Sequence, residues 1–414
     1  MLFDNFSATY YNVHMDRVIL HCDMNGFFAS VELLSHPELK DKPMAVSGDP
    51  ESRHGIILAK NEIAKRYGIV TAETIWQAKK KCPELQLVRP HHDAYKEYSH
   101  KINQIYQQYT DMVEPFSIDE SWLDVTGSQK LFGTGREIAD TIRARVRTEL
   151  GLTLSAGVSY NKIFAKMGSE YKKPDATTEI TRENYRELLW GMPAGELFFV
   201  GWATAEKLNK VGIQTIGDLA LADPTALEKL LGKQGPLLHS YANGEDTSPV
   251  CLYEQRGKIK SVGNGSTFRR NLTSRDDILT AVTALSDTVA SRLRKYQLKA
   301  FGIKVDIRDP SFKTISRQKQ LIRPTNLTSD IRFAAMEIIA TSWTIGLPIR
   351  MITVTGINLT DEDTGEQLSL FDIPAEGLAK NESIERTMDS IRQKFGSDAI
   401  GFGQVIDNDI GIDI

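Results

Sequence analysis

The sequence predicts an α+β chain of several domains. Its 414 residues exceed one ordinary domain of roughly 100–200. Short Val- and Ile-rich runs bounded by Gly, Asp and Pro alternate with stretches of helical period. Charge is also segregated along the chain. The overall −4 conceals net +11 over 256–360 (18 Lys+Arg against 7 Asp+Glu), −9 over 361–414 (4 against 13) and −6 over the remainder.

The elements follow in order. RVILHCDMNGFF (17–28) is a buried strand that breaks at polar and Gly residues, and FFASVELL continues as a helix stopped near His36-Pro37. PMAVSG (43–48) is a second strand, 55–80 a set of short helices, and 95–109 a longer helix with Tyr98, Ile102 and Ile105 on one stripe. MVEPFSIDESWLDVTG (112–127) alternates like two strands around an acidic turn. A helix at 136–150 and a strand at 152–158 complete a βαββαβ-like core, with helices again at 162–171 and 184–190. Beyond Pro193, 199–220 is a helix bracketed by Gly-bearing turns, followed by a similar unit to Gly244. A polar segment links this to a β-α-β-β-α-β pattern over 258–360, with helices near 274–296 and 330–345. After it, the only long periodic segment is 385–395.

Composition excludes several classes. An apolar fraction of 41% and a charged fraction of 25% are those of a folded soluble chain. No run approaches the ~18 apolar residues of a membrane helix, and residues 1–16 lack the basic region of a secretory signal. Cys22, Cys82 and Cys251 are too widely spaced for a disulfide scaffold or a Cys-rich zinc site. A cytoplasmic chain is expected. The +11 segment has the pattern of a polyanion-binding module, although a lysine-rich solvated face would give the same count.

The candidate chemistry lies in the acids. Asp23 closes a buried strand, where a lone carboxylate requires a partner or a metal. Asp119 and Glu120 are neighbours, which point to opposite faces of a regular strand and converge only where a turn or bulge breaks the alternation. A solvated turn is the alternative. Three hard oxygen donors suit Mg²⁺, and two such ions form the clamp for in-line phosphoryl transfer.

DMNGFFASVE (23–32), SIDESWLDV (117–125), AGVSYNKIFAKMGSEYKKP (156–174), VGWATAEKL (200–208) and QLSLF (367–371), in this order, resemble the Y-family DNA polymerases of the bacterial DinB type across residues 17–403. The resemblance implies a right-hand architecture: an N-terminal extension (1–16), palm and fingers (17–185, fingers about 36–92), and a helical thumb with a helix-hairpin-helix (186–245). A linker (246–257), an α/β little finger (258–360) and an acidic C-terminal tail (361–414) carrying the clamp-binding peptide follow. It further implies error-prone translesion synthesis from dNTPs on primer–template DNA by a monomer. A non-catalytic DNA- and clamp-binding member that controls polymerase access is the alternative, and a palm-fold nucleotide cyclase a more distant one.

By resemblance, Asp23, Asp119, Glu120 and the Met24 carbonyl hold two Mg²⁺ ions, and Phe28 is the steric gate against the ribose 2′-hydroxyl. Phe27, Lys65 and Lys173 join Phe28 in gripping the nucleotide, with a core ring the alternative for Phe27 and a surface charge for Lys173. Gly201 and Ala203, in the hairpin that resembles a helix-hairpin-helix, are expected to meet the DNA backbone. So are Arg269, Arg270, Arg294, Lys295 and Arg317 in the basic segment, a plain surface charge being the alternative for each basic residue taken singly. Gln367, Leu368, Ser369, Leu370 and Phe371 insert into the β sliding clamp, a buried amphipathic turn being the alternative. Departures from the family pattern occur at Asn25, Gly26, Glu62 and Lys65, and imply an altered grip on the triphosphate.

Overall fold

The computed structural model describes residues 16–49, 55–254, 258–362 and 378–412, which fall into two units joined near residue 256. Twelve strands are present among the described residues: β1 (Ile19–Met24), β2 (Met44–Ser47), β3 (Ile57–Lys60), β4 (Gln86–Val88), β5 (Val113–Pro115), β6 (Glu120–Asp124), β7 (Leu154–Ser159), β8 (Thr177–Ile180), β9 (Ser261–Leu272), β10 (Leu298–Arg308), β11 (Thr314–Thr325) and β12 (Ile349–Asp361).

In the first unit the main sheet has the order β5-β6-β1-β7-β8, with β1 antiparallel to both neighbours and β7 parallel to β8. All six residues of β1 are buried, so both faces are covered. Leu20, Cys22 and Met24 enter a core shared with the helices His92–Tyr106 and Gly135–Leu150. The alternate residues Ile19, His21 and Asp23 face the helix Lys162–Tyr171, because successive strand side chains point to opposite sides. That helix lies unusually close to β7. A Cβ on Gly157 would stand 1.9 Å from the Ala165 carbonyl oxygen, and one on Gly168 would stand 3.0 Å from the Gly157 Cα. The two glycines therefore set the depth from which Lys166 and Ser169 reach across β1.

A smaller sheet, β3-β2-β4, carries its own core of Ile57, Ile69, Ile75 and Leu85. Residues 57–60 are thus a strand where short helices are expected from the sequence, and β4 and β8 appear where nothing is expected. A run of three or four residues is too short to show strand alternation.

Residues 202–242 form four short helices, Trp202–Lys210, Ile216–Leu221, Pro224–Leu231 and Gln234–Ala242. The expected single helix over 199–220 is split by a turn through Gly212 (φ +85°), after which Thr215 and Asp218 form a capping box.

In the second unit the sheet order is β11-β10-β12-β9, all antiparallel, and the helices Arg275–Lys295 and Thr328–Ser342 share its core. Residues 361–414 do not behave as an acidic tail where they are described. The helix Leu378–Phe395 docks on the helix Arg275–Lys295, and Val405, Ile410 and Ile412 enter the same core. Among the described residues, no helix is long and apolar enough to cross a membrane.

Candidate active site

The strand register builds the site. Asp23 pairs with Glu120 across β1 and β6, so the two side chains share a face, and His21 joins them two residues back along β1. Donor atoms of these three residues lie within 4.8 Å of one another. Asp119 sits in the bend before β6, outside the alternation, and its carbonyl accepts the Met24 N–H at 3.1 Å. Ser117 Oγ donates to the Asp119 carboxylate at 2.6 Å.

Two lysines close the site. Lys166 Nζ lies 2.7 Å from Glu120, 3.3 Å from Asp23 and 3.2 Å from Glu170. Lys173 Nζ lies 2.9 Å from both Asp23 and Glu170, so it is not a free surface charge. Burial pushes the Asp23 carboxyl up to about 7 despite Lys173 and Lys166, and burial likewise raises Asp119. Burial acts upward on Glu120 too, but the Lys166 ammonium 2.7 Å away outweighs it and holds the group below the ordinary carboxylate value. His21 is fully buried and falls to about 4 by desolvation. Ser169 donates its hydroxyl proton to the Lys166 carbonyl, so it accepts from His21 Nδ1 at 2.8 Å. Nε2 then turns an unpaired acceptor toward Glu120, 3.3 Å away and outside hydrogen-bonding geometry.

His21, Lys166, Ser169 and Glu170 are site residues that sequence reasoning missed. Lys166, Ser169 and Glu170 stand at i, i+3 and i+4 in the KMGSE stretch, which places them on one helix face.

The neighbouring aromatics divide. Phe28 is half-buried, with its ring stacked on Tyr95 at 4.1 Å and 11°. Phe27 is buried in the core at 3% exposure, so its ring is not available to a nucleotide; this corrects the expectation for it. Asn25 donates to Ser155 Oγ at 3.0 Å and accepts the Asp175 N–H at 2.9 Å, tying the end of β1 to the chain just past Lys173. Gly26 takes φ +53°, a left-handed conformation that favours glycine. Lys65 is exposed and pairs with the equally exposed Glu62 at 3.7 Å, one turn apart on the same helix.

The expected DNA contacts are scattered. Gly201 caps the helix Trp202–Lys210 in an extended conformation, and Ala203 is exposed. Arg269 and Lys295 are exposed. Arg317 lies opposite Val305, on the same sheet face as Lys319 and its partner Glu337. Arg270 is held by Asp277 and Asp409. Arg294 is 5% exposed and locked to Glu385 and Asp389, so it is a structural group and not a DNA contact. The peptide 367–371 lies outside the described residues.

Residues 22–170 match the impB/mucB/samB family, 259–370 match the C-terminal domain of that family, and 196–246 match the thumb domain of DNA polymerase-iota. The fold also matches a Y-family DNA polymerase chimera of Dbh and Dpo4, with TM-score 0.74, 23% identity, and coverage of 83% of this chain and 99% of that one. Fold and site together define a right-hand polymerase of the Y family. At closer range, the chain is 48% identical to DNA polymerase IV of Acetivibrio thermocellus over 92% of its length and 96% of that relative. It is 37% identical to DNA polymerase IV of Clostridium kluyveri, over 95% and 99%, and 38% identical to DNA polymerase IV 2 of Bacillus subtilis, over 93% of each chain. The chain belongs to the DNA polymerase IV, or DinB-type, branch of the Y family.

Proposed function

We propose that the chain extends primers on template DNA from dNTPs, with the error tolerance of translesion synthesis, in a bacterial cytoplasm. The observation that carries this is the convergence of Asp23 and Glu120, on two adjacent inner strands of the main sheet, beside the half-buried Asp119.

The donor set fits a divalent cation. Two carboxyls are raised by burial, and an unpaired imidazole nitrogen faces the third. Asp23, Asp119, Glu120 and the Met24 carbonyl would hold two Mg²⁺ ions, the hard-oxygen arrangement such ions prefer. When bound, the pair supplies a primer hydroxyl of lowered pKa and charge neutralisation at the triphosphate and leaving pyrophosphate.

The chain's own groups do the rest. Lys173, already at Asp23, meets the triphosphate, and Lys65 adds charge without the two-pronged fork of an arginine. Phe28, braced flat on Tyr95, occupies the volume of a 2′-hydroxyl. Gly201, Ala203, Arg269, Lys295 and Arg317 meet the DNA backbone. Gln367–Phe371 tethers a monomeric polymerase to the sliding clamp, which raises its effective concentration at the primer end.

Primer extension by Asp119→Ala is the test. Extension is expected to fall below detection while DNA binding persists. Wild-type extension by this variant would overturn the assignment, and an inactive wild type would restore the non-catalytic alternative.

A further inference from the structure

The helix Ile75–Lys81 presents a face that the chemistry at Asp23 does not use. Ile75 and Ala78 anchor it in the core of the small sheet, and Thr74 and Gln77 cap it reciprocally, so its orientation is fixed. Trp76 nevertheless points outward at 71% exposure. Lys79 and Lys80, three and four residues on, flank it on the same face, and Lys80 Nζ stands 5.4 Å from the indole centroid. The nearby acid, Glu73, is occupied by Lys81 at 2.7 Å. No carboxylate forms an ion pair with Lys79 or Lys80 among the described residues. A rigidly mounted flat apolar ring with two unneutralised ammonium groups matches a ligand that carries both an exposed π face and phosphate charge. Duplex DNA hides its base faces in the stack, whereas a single strand offers them.

We propose that Trp76, Lys79 and Lys80 bind the unpaired template strand, one base stacking on the indole and the flanking phosphates meeting the two lysines. This rests on the primer-extension reading above.

The test compares two fluorescein-labelled primer–templates by anisotropy, one with a long oligothymidine template overhang and one with a single unpaired template nucleotide. Wild type is expected to bind the long overhang more tightly by about five-fold or more, the scale of one stacked base. Trp76→Ala is expected to erase that preference and Trp76→Phe to keep it. Lys79→Gln with Lys80→Gln is expected to flatten the salt dependence of long-overhang binding by roughly 0.7 per lysine in log–log slope. Three outcomes would overturn the proposal: an overhang preference that survives Trp76→Ala, an equal loss on both substrates, or a loss confined to clamp-stimulated synthesis, which would assign the face to a protein. Primer extension on the short-overhang substrate separates this from failure of the polymerase reading, since it depends on Asp119 and not on Trp76.

Discussion

A carboxyl as enclosed as Asp23 responds to any cation placed beside it. Its folded value of about 7 lies above the ordinary 3.8, because burial outweighs Lys173 and Lys166. A raised acid contributes stability below its unfolded value and loses it as pH rises through the folded one. The metal-free protein therefore loses this contribution between about pH 4 and pH 7, and a bound divalent ion restores it above that window. Thermal unfolding with and without Mg²⁺ is expected to show a larger stabilisation at pH 8 than at pH 6, and Asp23→Asn is expected to remove the difference. Equal increments at both pH values would show that Asp23 is not a ligand. Phe28→Ala is expected to raise ribonucleotide incorporation at least several-fold in a single-nucleotide assay, and unchanged sugar selection would place the gate elsewhere. Asp23 stood out in the sequence as a charge at the end of an apolar strand and Asp119 and Glu120 as adjacent acids in a turn, whereas Phe28 was singled out only by the family resemblance. His21 was not legible there, since an imidazole inside an apolar run gives no sign of the partner it will meet, here Ser169 at 2.8 Å from a distant helix.

Elements hold these residues in place through contacts that hydrophobic period reveals only in part. Gly157 permits the helix Lys162–Tyr171 to approach β7, and an added methyl would meet the Ala165 carbonyl oxygen at 1.9 Å. Gly157→Ala is expected to destabilise the first unit by more than ~1–3 kcal/mol, the usual cost of overpacking, and to reduce primer extension by displacing Lys166 from Glu120. A variant with wild-type melting and activity would mean that the helix yields freely. The C-terminal helix depends on charge instead. Glu385 accepts from the Thr328 N–H at 3.0 Å and from its hydroxyl at 3.0 Å, supplying the cap that Leu327 cannot give the helix Thr328–Ser342. It also neutralises the buried Arg294. Glu385→Ala is expected to cost about 3–5 kcal/mol, as when one partner of a buried pair is removed, with faster amide exchange in the helix Arg275–Lys295 as the readout. In the sequence the helix Leu378–Phe395 was caught only from residue 385, missing its start at Leu378, and its inward positions Glu385 and Asp389 are ones that apolar periodicity counts as solvent-facing. The long strands β1, β6 and β7 were legible, whereas β3, β4 and β8 are too short to alternate.

Charge sets the behaviour of the whole molecule, and the folded chain redistributes what its sequence segregates. The +11 of residues 256–360 is not all available to DNA. Arg270 is matched by Asp277 and Asp409, Arg294 by Glu385 and Asp389, and Lys319 by Glu337. Several of these carboxylates come from the −9 segment, which folds back onto the basic one. Affinity for duplex DNA must therefore depend on salt through fewer cations than the sequence count implies. Each exposed lysine or arginine that meets a phosphate contributes about 0.9 to the slope of log affinity against log salt. Arg269→Ala and Lys295→Ala are each expected to lower that slope by about this amount and to weaken binding on all sequences alike, since backbone contacts carry no base information. Arg270→Gln is expected to leave the slope unchanged, because its charge is already balanced within the fold. Equal slope changes from all three variants, measured by anisotropy titrations across salt on one duplex, would show that the ion pairs at Arg270 open when DNA binds.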